Sequence, residues 1–89
     1  MTPDTFDKLR VQLELLEWPN VYFFKFIVPN KSVQIADVTA LFDASAEIVM
    51  HPSSKGNYMS ISAKELMLDV DSIIEKYQKA STIEGITSL

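Results

Sequence analysis

The stretch Val21-Tyr22-Phe23-Phe24-Lys25-Phe26-Ile27-Val28 reads as a β-strand. Apart from Lys25 it is β-branched or aromatic throughout, with no Gly, Pro or Asp to interrupt it. Side chains alternate across a strand, so Tyr22, Phe24, Phe26 and Val28 share one face, and Val21, Phe23, Lys25 and Ile27 share the other. The lysine marks the second face as the less buried one, although that face also carries Phe23 and Ile27. Pro29-Asn30 closes the strand.

Upstream, Thr2-Pro3-Asp4 has the form of a helix start: a capping hydroxyl, a proline at the first helical position and an acid on the positive end of the dipole. Phe6, Leu9, Leu13 and Leu16 continue as one apolar stripe, with Arg10, Gln12, Glu14 and Glu17 largely off it. Trp18-Pro19 stops the helix, because the residue before proline resists α conformation. Trp18 reads as a packing anchor.

Downstream, Ile35, Val38, Leu41 and Phe42 fall at helical spacing within residues 32–42, with Asn30 or Ser32 as cap. Asp43-Ala44-Ser45 breaks that helix. Residues 46–51 alternate as a strand with Ile48 and Met50 on one side. The run Pro52-Ser53-Ser54-Lys55-Gly56-Asn57 is a turn cluster. From Tyr58 the alternation resumes, with Met59, Ile61 and Ala63 on one face and Tyr58, Ser60, Ser62 and Lys64 on the other. The two alternating runs predict a β-hairpin. Asp69 or Asp71 caps a last helix whose stripe is Val70, Ile73, Ile74 and Tyr77. Glu75 and Lys79 form an i,i+4 pair, and Lys76 and Lys79 suit the helix C-terminus. Residues 82–89 read as a closing strand broken at Gly85.

The order is a helix followed by β-α-β-β-α-β. Two βαβ halves of this length predict an α+β fold of ferredoxin-like type: a four-stranded antiparallel sheet with two helices on one face, plus an extra N-terminal helix. Residues 1–89 are read as a single domain, with the N-terminal helix over 1–18 and the βαββαβ core over 20–89. The composition agrees: 89 residues, 47% hydrophobic and 22% charged, is an ordinary globular balance for one domain.

Trp18-Pro19 with Phe24-Lys25-Phe26-Ile27-Val28-Pro29, and Pro52-Ser53-Ser54-Lys55-Gly56-Asn57-Tyr58 running into Ser60-Ile61-Ser62, resemble the YbeD-like family of small bacterial proteins of unknown function. Ile83-Glu84-Gly85-Ile86 is similar to that family's C-terminal strand. The resemblance implies a ferredoxin-like fold close in shape to the regulatory domains that bind amino acids in metabolic enzymes. It implies no catalytic residues.

Several functions are disfavoured by the residues themselves. The absence of cysteine excludes thiolate metal sites and a thiol nucleophile. The net charge is −4, with 8 basic and 12 acidic residues and Arg10 as the sole arginine, a poor match to nucleic acid. The aromatic sheet face suggests an RNA-recognition motif, but the sequence pattern of that motif is absent. The N-terminus shows no apolar core behind basic residues and no run spans a bilayer, so the expectation is a cytoplasmic protein with no membrane partner. The leading helix has no basic polar face to hold it on a membrane surface. Asn30-Lys31-Ser32 fits a glycosylation sequon, which carries no meaning in a cytoplasmic chain. His51, the only histidine, lies near Ser53 and Ser54 but lacks a nucleophile-elbow context and an orienting acid. Asp69 and Asp71 are explained by a helix start without a metal. The expectation is therefore no enzyme, no metal and no cofactor.

Two candidate sites remain. Ser53, Ser54, Lys55, Gly56 and Asn57 offer hydroxyls, an ammonium and a flexible backbone that would cradle a small anionic ligand. The plainer reading is a hairpin loop in which Gly56 and Asn57 supply positive φ. The second candidate is the sheet face without helices, which carries Phe23, Lys25, Ile27, Val49, His51, Tyr58, Ser60 and Ser62. Phe23, Lys25, Ile27 and Tyr58 there suit an interface with a protein partner or a second copy. The competing reading has the leading helix fold over this face or pad an edge. A regulatory or adaptor module acting through protein contacts is thus expected first, and a sensor of an amino acid or anion second.

Overall fold

The computed structural model describes residues 6–89, so the helix-start residues Thr2, Pro3 and Asp4 lie outside the described residues. The elements are helix α1 (Asp7–Glu14), strand β1 (Asn20–Pro29), helix α2 (Ser32–Thr39), strand β2 (Glu47–Pro52), strand β3 (Tyr58–Met67), helix α3 (Val70–Ala80) and strand β4 (Thr87–Ser88). The strands form one antiparallel sheet in the order β2-β3-β1-β4. An α+β chain with this sheet and three helices is consistent with a small ferredoxin-like fold.

Strand β1 supplies the floor of the core. Phe24, Phe26 and Val28 are fully buried and pair across to Ala63, Ile61 and Met59 of β3. Helices α2 and α3 cover this face with Val38 and with Ile73, Ile74, Tyr77 and Ala80. Rings fill the space between the layers: Phe24 and Phe26 stack at 6.2 Å, and Phe42 and Tyr77 lean on both. Burying a side chain of this size contributes roughly 1.5–3 kcal/mol.

Helix α1 joins the helical layer. Phe6 stacks on Tyr77 at 6.2 Å, Leu13 enters the core, and Arg10 pairs with Asp71 at the start of α3. The expected stripe is thus correct through Leu13 and wrong at Leu16, which is half exposed. The helix stops at Glu14 because Leu15 and Leu16 donate back to Gln12 and Leu13, tightening the last turn before Trp18-Pro19. The Trp18–Pro19 peptide bond is cis, and the indole N–H donates to the Leu13 carbonyl at 2.9 Å. This packs Trp18 against the helix end, as expected of an anchor.

Other boundaries also differ from the sequence reading. Helix α2 ends at Thr39 rather than Phe42, and turn bonds from Leu41 and Phe42 carry the chain onward. Neither Asn30 nor Ser32 caps it. Lys31 occupies the cap without a side-chain bond, and the Asn30 amide instead donates to the Gly56 carbonyl. Asp69 caps α3 by accepting from the Ser72 N–H at 2.8 Å.

The expected closing strand over 82–89 shortens to two residues. Ile83 and Ile86 donate to Ala80 and Ile83, so the chain stays turned past Gly85. Gly85 has φ +78°, and a Cβ there would lie 2.8 Å from Cγ and 3.0 Å from Cδ of Pro29. Gly56 also has positive φ, at +75°, but open space surrounds it, and Asn57, expected to share that conformation, has negative φ because the turn needs the left-handed backbone at Gly56 alone. Gly85→Ala is therefore expected to cost about 2–3 kcal/mol, from the left-handed backbone and the displaced proline ring together. Gly56→Ala is expected to cost only about 1 kcal/mol. Thermal melts of the two variants check this: the Gly85 variant should fall by roughly 10 °C or more and the Gly56 variant by about half of that.

Candidate functional site

The odd-numbered residues of β1 and β2 and the even-numbered residues of β3 project away from the helices. Cross-strand pairing sets Phe23 opposite Lys64, Lys25 opposite Ser62, Ile27 opposite Ser60, Val49 opposite Ser62, and His51 opposite Ser60. All the residues expected on the open face are therefore on it. Because α1 packs with α3 on the other side, no described element covers this face. That resolves the question left by the sequence: the leading helix does not fold over the sheet.

Several large apolar side chains on this face are well exposed. Phe23 is 70% exposed, Leu66 61%, Val49 54% and Tyr58 52%. The Lys64 ammonium lies 5.6 Å from the Phe23 ring centroid, holding a cation over an exposed aromatic face. Phe23, Glu47, Val49, Ser62, Ala63 and Lys64 line a shallow hollow of about 160 Å³. Ile27 is largely buried, so Phe23 and Tyr58 are the prominent aromatic anchors.

The Ser53–Asn57 loop joins β2 to β3 and is exposed throughout. Its polar groups turn largely on themselves. Ser53 N–H donates to the Tyr58 carbonyl, Gly56 N–H donates to the Ser53 carbonyl, and Tyr58 N–H donates to Ser53 Oγ at 3.1 Å. Asn30 takes the Asn57 and Gly56 carbonyls. The loop thus has the geometry of a hairpin turn latched to the end of β1, with Ser54 and Lys55 exposed.

A polar cluster that the sequence reading did not single out lies between β3, α2 and α3. Glu65 continues the inward alternation of Ile61 and Ala63 and is buried. Its carboxylate accepts from the Lys76 ammonium at 2.8 Å and from the Asp43 N–H at 2.9 Å. Lys76 also donates to the Leu41 carbonyl and lies 4.8 Å from the Phe42 ring centroid. The expectation that Lys76 serves the helix C-terminus gives way to this inward bond, whereas Lys79 does pair with Glu75 at 3.0 Å. The strict period of β3 was the available signal: a glutamate on the inward face needs a cation, and Lys76 sits three residues after Ile73 on the buried stripe of α3.

Nearby, the hydroxyls of Tyr22 and Tyr77 meet at 2.9 Å. Burial, and then the Tyr22 hydroxyl, push the Tyr77 phenol well above its ordinary range. Among the described residues, no group of three or more His, Asp or Glu side chains could hold a metal ion, and no helix is long and apolar enough to cross a membrane.

No family model matches the chain, and no curated protein matches it. A solved structure of an uncharacterized protein from Thermotoga maritima superposes with a TM-score of 0.66 at 22% identity, over 79% of this chain and 91% of that one. At that identity the likeness is one of fold.

The Glu65–Lys76 pair carries a clear expectation. Glu65→Ala leaves a nearly buried ammonium without its counter-charge, holding only the Leu41 carbonyl, and leaves the Asp43 N–H without an acceptor; it should cost about 3–5 kcal/mol. Replacing both with methionine removes the charges together and should recover most of that loss. Urea unfolding of the single and double variants tests the order; a single variant as stable as the wild type would show that the pair is immaterial.

Proposed function

We propose that this protein is a small regulatory or adaptor module that works through protein–protein contacts on its open sheet face. The observation that carries the reading is a face that no described element covers, with Phe23 projecting beside Val49 and Leu66, and Tyr58 exposed at the far end of the same face. Contiguous exposed apolar surface of this kind is characteristic of interaction sites, and aromatic anchors commonly supply most of the binding energy. Lys25, Lys64 and Glu47 around the anchor would set orientation more than affinity.

The chain follows the ferredoxin-like βαββαβ plan. It is grouped with the YbeD-like proteins through Trp18-Pro19 and residues 24–29, 52–58, 60–62 and 83–86. It acts in the cytoplasm without catalysis or cofactor. The lone histidine lies exposed on β2, and the inward ion pair is already satisfied by protein groups, which supports a non-catalytic role. The alternative of a small-anion sensor draws on Lys55 and its neighbours, but the internal bonding of Ser53 and Gly56 favours the contact reading.

Phe23→Glu places a charge at the centre of the face without touching the core. It should leave the melting temperature within a few degrees of the wild type and abolish capture of the partner by the tagged protein. An unchanged set of captured partners and an unchanged solution mass would sink the proposal. Lys55→Ala should leave both properties as they are; a loss of capture there would move the site to the loop.

A further inference from the structure

We propose that β2 pairs edge to edge with β2 of a second copy of this chain, antiparallel and centred on Val49, joining two four-stranded sheets into one. This goes beyond the open-face reading and does not rest on it, since the surface is a strand edge rather than a sheet face.

The sheet has two edges, β4 and β2. Strand β4 is a two-residue edge, too short to template another strand. Strand β2 is the other edge and runs from Glu47 to Pro52. Natural sheets protect exposed edges with lysine, internal proline or bulges. Residues 47–51 (Glu-Ile-Val-Met-His) have no lysine and no proline, and every residue has a paired partner in β3 with no skipped position.

The direction of the free backbone groups follows from the ladder. Ser53 N–H donates to the Tyr58 carbonyl. Ser53 and Tyr58 continue the register that joins Glu47 to Lys64 and Pro52 to Met59. Hydrogen-bonded and non-bonded pairs alternate along an antiparallel ladder. Glu47, Val49 and His51 therefore turn their amides toward β3, while Ile48 and Met50 turn N–H and C=O outward. The β1 side of β3 agrees, because Asn30 N–H donates to the Asn57 carbonyl and so assigns the odd-numbered positions of β3 to β1.

A two-fold pairing centred on Val49 satisfies all of these groups. Ile48 of one copy then faces Met50 of the second, and each exchanges its outward N–H and C=O with the other. Beyond them the ladder ends for a chemical reason: Pro52 has no N–H, and the Ala46 N–H is already bonded to the Asp43 carbonyl. The same register places Val49 against Val49 and Glu47 against His51 at the non-hydrogen-bonded positions, where side chains approach most closely. Shifting the centre to Ile48 or Met50 keeps the backbone bonds feasible but sets Glu47 against Val49, or Val49 against His51. The opposed Glu47–His51 pairs, a carboxylate acceptor against an imidazole, thus select one register, and the strand is complementary to itself.

Sedimentation velocity on the full chain tests this over a concentration series up to about 1 mM. The wild type should reach twice the chain mass of 10.1 kDa. Met50→Pro removes an outward N–H while taking no bond from β3, which edge positions tolerate, and should be monomeric with an unchanged circular dichroism spectrum. His51→Glu puts two carboxylates opposite each other and should raise the dissociation constant about tenfold. The exchange Glu47→His with His51→Glu restores the opposed pair and should restore association. A wild type that stays at the monomer mass, a folded Met50→Pro that dimerises normally, or an exchanged variant as weak as His51→Glu would each overturn the proposal. So would a loss of the dimer in Phe23→Glu with none in His51→Glu, which assigns association to the open face.

Discussion

Phe24, Phe26 and Val28 enter the core from one face of β1, and their burial constrains the rest of the sheet. The period of a strand is two, so a slip of one residue would send Phe23 and Lys25 inward and Phe24 and Phe26 into water. With side chains each worth roughly 1.5–3 kcal/mol on burial, such a slip is prohibitive against a total stability of only about 5–15 kcal/mol. Strand β1 is also bonded on both sides, to β3 along its whole length and to β4 at Phe26 and Ile27. Its choice of face therefore propagates to both neighbours, and to β2 through β3.

The same burial creates the need for the polar cluster at the end of β3. Glu65 must point inward because it shares the face of Ile61 and Ala63. An unpaired carboxylate there would be costly, and Lys76 answers it from α3 while binding the Leu41 carbonyl at the exit of α2. One ammonium thus ties together β3, α3 and the segment after α2, over the Phe24 and Phe42 rings. A hydrophobic pair of similar size would hold the same layers, but it would not dictate which carbonyl and which carboxylate meet.

With all three helices on one side, the other side of the sheet is left uncovered among the described residues. Helix α1 is held among its neighbours by the Phe6–Tyr77 stack, the Arg10–Asp71 ion pair and the bond from Trp18 to the Leu13 carbonyl. The first two draw it toward α3 and away from the open face, and the third fixes the chain at its own end. The exposure of Phe23 is therefore a consequence of what α1 does elsewhere, and the freedom of the β2 edge follows from the strand order. The two surfaces meet at Val49, which lies on the open face and at the centre of the edge.

Local patterns in the sequence determine a great deal here. Alternation in β1 and β3 settles which residues are buried and which lie on the open face, because period two is a property of the backbone. The Asp69 cap, the Glu75–Lys79 pair and the turn at Gly56-Asn57 are equally local, since their partners lie within a few residues. The tertiary structure alone decided whatever depends on contacts between distant segments. Leu16 looks like the next residue of a stripe, yet the chain has already turned toward β1 and left it in water. The closing strand is cut to Thr87–Ser88 because Gly85 must pass close to Pro29, more than fifty residues earlier. Lys76 reads as a helix-end charge until Glu65 is placed beside it. The position of α1 was open between two faces, because an amphipathic stripe specifies that it must be buried and not against what; the rings and ion pairs of α3 supplied the answer.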